Sequence, residues 1–168
     1  MKKFIALAAA LALVASTAAQ AQTCTTASCT VTNTVSATAP TVLNLTLTSI
    51  TTTLTNPTAT DFDVAAGIDN AGPGVTLKSN KNASVTISTA AANWTYVGAG
   101  SATKSIGDLR WRTSGGGPGT ALSGTAGTVI ASGKGTRSAT ITWNTFWALA
   151  TDEPGDYSLA TTFTLVAP

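Results

Sequence analysis

The sequence predicts an all-β chain, an antiparallel β-sandwich of about seven to nine short strands in two sheets. Three observations predict it. Apolar and polar residues alternate with period two in run after run, as they do on a half-buried pleated strand. Clusters of Gly, Asn and Pro separate those runs, the punctuation of turns. After the first twenty or so residues, no stretch holds a helical 3.6 period for three turns. A closed barrel is the next architecture in line. No repeat of fixed length speaks for a solenoid or a propeller.

The chain opens with Met1-Lys2-Lys3, an Ala/Leu-rich apolar run over residues 4–15, and Ala19-Gln20-Ala21, a small-x-small site. This pattern predicts a bacterial secretory signal peptide over residues 1–21, cut before Gln22. The apolar run is shorter than the roughly 20 residues a bilayer crossing needs. No later run is long enough to anchor the mature chain, so a secreted or cell-surface protein with no membrane span after cleavage is expected.

Residues 22–40 form an N-terminal extension. Cys24 and Cys29, the two cysteines of the chain, enclose Thr-Thr-Ala-Ser. An oxidising compartment would close that short loop with a disulfide, a local pin that removes little chain entropy. Beyond it, Val31, Val35, Ala37 and Ala39 recur at period two, with Asn33 interrupting.

Residues 41–168 make up the sandwich domain. Leu43, Leu45 and Leu47 share one face, Val75 and Leu77 another, then Val85 and Ile87, and Leu109 with Trp111. Arg110 and Arg112 flank Trp111, which suits a ring turned inward and guanidinium groups turned outward. Val129 marks a strand over residues 128–132. Ile141, Trp143, Trp147 and Leu149 line up in the next, and Tyr157, Leu159, Thr161, Phe163 and Leu165 form the cleanest run of all. Turns are expected at residues 56–57, 70–74, 79–82, 98–100, 114–119 and 133–135.

Composition excludes several kinds of chemistry. The chain has no histidine, which removes Ser-His-Asp and Cys-His catalysis and imidazole-bound zinc. Once Lys2 and Lys3 leave with the signal, seven basic residues face seven acidic ones. A chain of no net charge has no long-range pull on phosphate backbones, so nucleic acid is not expected as a partner. The glycine run over residues 114–119 lacks the Lys-Ser/Thr ending and the helix of a phosphate loop. No enzyme activity and no cofactor is expected.

Two groups of side chains are candidates for binding. Trp94 and Trp111 could offer an aromatic platform to polysaccharide, which would make the chain an extracellular carbohydrate-binding or adhesion module. Core packing is the competing role for tryptophans in such strands. Asp61 and Asp63, two apart around Phe62, with Asp69 nearby, could begin a calcium site, although six to eight oxygens are typical and solvated charges explain the pattern as well. Asp152, Glu153 and Asp156 read as a solvated turn.

The turn Asp152-Glu153-Pro154-Gly155-Asp156-Tyr157, leading into an alternating strand, resembles the turn-plus-tyrosine that opens a late strand in immunoglobulin-like domains. In such a turn the ring covers the end of the core and the hydroxyl meets a backbone group. With its size, signal peptide, Thr/Gly/Ala richness and closing strand, the chain resembles the spore-coat-U and chaperone–usher pilin group. The immunoglobulin order implies one more strand after this one, and the sequence stops at Pro168. The resemblance therefore implies a surface coat or filament subunit with an unfilled edge. Residues 30–39, with Val31, Val35, Ala37 and Ala39 as the inserting side chains, would fill it from a neighbouring molecule. The same run could be the first strand of its own sandwich, and that reading carries the greater weight because intramolecular pairing has no concentration-dependent cost. The expected partners are further copies of the chain or other surface proteins.

Overall fold

The computed structural model describes Thr30 and residues 33–168. Among these, eight β-strands and one 3-10 turn make an all-β body from Ala39 to Pro168. The strands are β1 (Leu43–Leu47), β2 (Ile68–Ser88), β3 (Thr95–Gly98), β4 (Leu109–Arg112), β5 (Thr120–Ala121), β6 (Gly127–Thr145), β7 (Gly155–Ser158) and β8 (Thr162–Val166). They form two antiparallel sheets and no closed barrel. One sheet has six strands in the order β1-β2-β6-β4-β5 with β8 also on β2, and the other pairs β3 with β7.

The long pair β2–β6 is the frame. In β2 the odd-numbered side chains from Pro73 to Ile87 are buried, Lys81 excepted, including Val75, Leu77, Val85 and Ile87, while the even positions there are more open. That period of two comes from the pleat and sends one face inward from Pro73 to Ile87, broken at Lys81 where the register slips. A single core cluster gathers these residues with Trp94, Leu109, Trp111, Ile130, Ile141 and Trp143.

Three of the expected turns are not chain reversals. Residues 70–74, 79–82 and 133–135 lie inside β2 and β6, where the register slips between Ala71 and Gly74 and between Ser79 and Ala83. Gly and Asn free the backbone for a bulge as readily as for a reversal, so these segments bend a continuous strand. Arg137 braces one bend, its guanidinium donating to the carbonyls of Ala83, Ala131 and Gly133. The glycine run is a loop as expected. Arg112 donates to Gly115 O (2.9 Å) and Gly117 O, and Gly115, Gly117 and Gly119 all take positive φ.

The closing run is also divided. Its side chains alternate as read, with Tyr157, Leu159, Thr161, Phe163 and Leu165 all half-buried. The strand itself breaks at residues 159–161: β7 pairs with β3 in the small sheet and β8 with β2 in the large one. Strand β6 ends at Thr145, so Leu149 is exposed rather than aligned with Ile141.

Strands β1 and β8 lie on the same side of β2. Strand β1 pairs with residues 75–79, and β8 with residues 84–88. Between them Asn80 holds the entry of the chain: its side chain accepts from Val42 N (2.9 Å) and donates to Pro40 O (2.7 Å).

Candidate functional site

A groove of ≈ 1120 Å³ opens into this body. One wall is residues 49–57, which carry no strand. They are tied to β2 at a few points: Thr48 N donates to Gly74 O (2.9 Å), Thr48 Oγ1 accepts from Gly74 N (2.8 Å), and Thr55 N donates to the side chain of Asn70 (2.6 Å). The facing wall is the segment from Asp152 to Phe163, including β7 and the start of β8. Trp94, Leu109 and Trp143, all buried core residues, reach the groove from below, together with Trp147 and Leu54.

Two features distinguish the groove from a plain crevice. Strands β7 and β8 each pair on one edge only among the described residues, so their other edges keep open backbone groups. The indole N–H groups of Trp94 and Trp147, both groove-lining residues, are buried without a hydrogen-bond partner. A buried unpaired donor is costly, and an occupant with carbonyl groups is the kind that could relieve it.

The end of the groove is built around tyrosines. Tyr157 O–H donates to Glu153 O at 2.8 Å, and Tyr96 O–H donates to Pro154 O at 2.9 Å. The two rings sit 5.1 Å apart, and Tyr157 meets Trp147 edge-on at 5.3 Å. Burial pushes the Tyr157 hydroxyl above its ordinary value, against the opposing pull of the bond to Glu153. The backbone contact expected of this tyrosine is therefore present.

The acidic turn is not simply solvated. The Asp152 side chain is buried and paired with Lys104, whose Nζ lies 2.7 Å from Asp152 Oδ2. Lys104 Nζ also donates to Phe146 O and sits 4.3 Å from the centre of the Trp147 ring. Lys104 is the bulkiest fully buried side chain among the described residues. A lone lysine in a polar stretch gives no sign in the sequence that it will be buried, because such side chains are ordinarily exposed.

The other expected site residues are dispersed. Val35, Ala37 and Ala39 are exposed and belong to no strand, so residues 33–39 are not the first strand of this body. Val31, Cys24 and Cys29 lie outside the described residues. Trp94 and Trp111 are each only 7% exposed and belong to the core, so they do not form an exposed platform. Trp111 lies in β4, which buries alternate residues, so its ring falls on the inward face; Trp94 stands just before β3, its backbone N–H donating to Lys104 O at 2.9 Å.

Asp61, Asp63 and Asp69 are each occupied separately. Asp61 Oδ2 accepts from Thr58 N (2.7 Å) and Thr58 Oγ1 (2.6 Å), which lowers its pKa. Asp63, at φ 59°, accepts from Leu149 N (3.2 Å). Asp69 pairs with Arg112 and accepts from the side chain of Asn144 (2.8 Å). The Arg112 bond first and Asn144 second hold the Asp69 carboxyl below its ordinary value. Among the described residues, no three His, Cys, Asp or Glu side chains come together in a metal-binding group.

No family model matches this chain, and neither a curated protein nor a solved structure shows significant similarity to it.

Proposed function

We propose that the chain is an exported structural subunit of a cell-surface coat or filament, whose immunoglobulin-like sandwich takes a β-strand from a neighbouring copy. The observation that carries this reading is the apolar groove beside β7 and β8 with its unpaired strand edges. The immunoglobulin-like assignment is supported by the single core shared across two sheets and by the Tyr157–Glu153 bond at the corner before β7. The export assignment rests on the N-terminal signal pattern.

The donated strand is residues 31–39 of another copy. Nine extended residues reach about 30 Å, and the wall they would lie along runs from Asp152 to Phe163. Val31, Val35, Ala37 and Ala39 stand on one side of such a strand, small enough for shallow pockets among Leu54, Leu159 and Phe163. The segment carries no charge, so its burial desolvates no ion. Contact of this type is head-to-tail, and head-to-tail contacts make open polymers unless the rotation closes a ring.

The test compares mature protein with a form lacking residues 22–40. The mature protein should form detergent-resistant oligomers or fibres by negative-stain microscopy. The truncated form should remain monomeric and bind a synthetic peptide of residues 30–40. A mature protein that stays monomeric at high concentration and instead captures glycans on an array would overturn the reading.

A further inference from the structure

Lys104 and Asp152 are placed for a covalent link. Their side chains are 1% and 3% exposed, and the Nζ–Oδ2 separation is 2.7 Å. Two opposite charges taken out of water are held at a high desolvation cost, and conversion to a neutral amide removes both charges from the interior. The surroundings fix the reactants. Asp152 Oδ2 accepts from Ala148 N (2.8 Å), and Asp152 N donates to Ala148 O (2.9 Å), so the carboxyl group has one orientation. Phe146 O and the Trp147 ring hold the amine from its other sides. A second carboxyl group, Asp108 Oδ2, stands 3.8 Å from the same Nζ. Its backbone is pinned by Phe146 N, which donates to Asp108 O at 2.9 Å.

We propose that Lys104 and Asp152 condense to an intramolecular isopeptide bond in the folded domain. A proton passes from the Lys104 ammonium group to the Asp152 carboxylate, leaving a neutral amine beside a carboxylic acid. The amine lone pair attacks Cγ of Asp152, and the Ala148 N–H polarises the carboxyl group under attack. Asp108 takes the second proton from nitrogen and returns it to the departing hydroxyl. The C–O bond breaks, one water leaves, and the C–N bond remains. No oxidant, reductant or cofactor enters the balance. Held together in this way, an amine and an acid can reach effective concentrations on the order of 10⁵ M or more, enough to drive a condensation that does not proceed between free groups. The bond would tie the segment before β4 to the turn before β7, independently of whether a donor strand fills the groove.

The experiment is intact-mass spectrometry of the exported protein after reduction of any cystine. The expected mass is lighter than the sequence mass by one water. Digestion should yield a branched peptide joining Lys104 to Asp152. Lys104→Met should restore the full mass, and Asp108→Asn should restore it while both partners remain. Should a variant fold poorly, the wild type carries the test by itself: after denaturation and amine labelling, Lys104 should stay unlabelled. A wild-type protein at its full sequence mass, with Lys104 labelled, overturns the bond. Loss of water retained in Asp108→Asn overturns the relay assigned to that residue.

Discussion

Replacing Val35 with Asp tests strand donation at one side chain. Val35 is 86% exposed in the chain, so docking would take nearly its whole side chain out of water. Full burial of a valine is worth about 1.5–3 kcal/mol. An aspartate at the same place forfeits that gain and leaves an unpaired buried carboxylate, a penalty of about 3–5 kcal/mol in comparable settings. At 1.4 kcal/mol per decade, Val35→Asp should weaken self-association by roughly a thousandfold or more. Val35→Ala loses two methyl groups and should cost about 1.6 kcal/mol, between one and two decades. The control is parity. Thr34 and Ser36 fall on the opposite side of an extended strand, so Ser36→Asp should leave assembly within a few fold of wild type. Analytical ultracentrifugation gives the association constants, and thermal melting of each monomer shows whether the body is untouched. If Val35→Asp assembles like wild type, or if Ser36→Asp is equally damaging, residues 31–39 do not insert as a strand.

Other substitutions probe the body. Leu77, with no exposed surface, sits at the centre of the core cluster, and Leu77→Ala should cost about 2–5 kcal/mol, read as a lower urea midpoint at unchanged slope. Tyr157→Phe removes the bond to Glu153 O and should cost about 0.5–1.5 kcal/mol. Because burial raises the Tyr157 pKa, its contribution is complete below the unfolded value of 10.0 and is lost as pH rises through the native value, so Tyr157→Phe should flatten the alkaline limb of a stability–pH profile. Asp69 has the opposite sign: its lowered pKa contributes stability above the ordinary value of 3.8 that is lost as pH falls through the native value. Asp69→Asn should therefore flatten the acid limb. Gly119→Ala places a Cβ 2.6 Å from Trp111 O at φ +69° and should cost about 1 kcal/mol or more, measured by the same urea titration.

The inward residues were legible wherever a strand is buried on one face only. Val75 and Leu77, Val85 and Ile87, Leu109 and Trp111, and the alternation from Tyr157 to Leu165 all follow from the pleat. Strand ends and connections were not, because Gly and Asn serve bulges and reversals alike. The segments at residues 79–82 and 133–135 carry turn chemistry but bend β2 and β6 instead. Strand β5, at two residues, is too short to show a period, and β3 buries no alternating face. The groove was legible only in outline, as an expectation that an edge is unfilled. Its wall at residues 49–57 could not be read, since a threonine-rich run has the same propensity with or without a pairing partner. The Lys104–Asp152 pair spans 48 residues, and no local pattern announces it.

The two sides of the large sheet are protected unequally, and the inequality bears on assembly. On the β5 side the last strand has two residues, and β6 runs past β4 over residues 127–141 with β2 as its one strand partner among the described residues, a stretch that carries Lys134 and Arg137. On the other side, β1 and β8 follow one another along β2, each five residues long. Their sequences, LNLTL and TFTLV, contain no charge and no proline, two usual guards of an exposed edge. Leu43 and Val166 stand exposed where the two strands come closest along β2. An edge of this composition is an aggregation hazard in a monomer and a template in a polymer. Charged side chains, Lys134 and Arg137, punctuate the edge on one side of the sheet, whereas the ten residues of β1 and β8 on the other side carry none and lie next to the apolar groove.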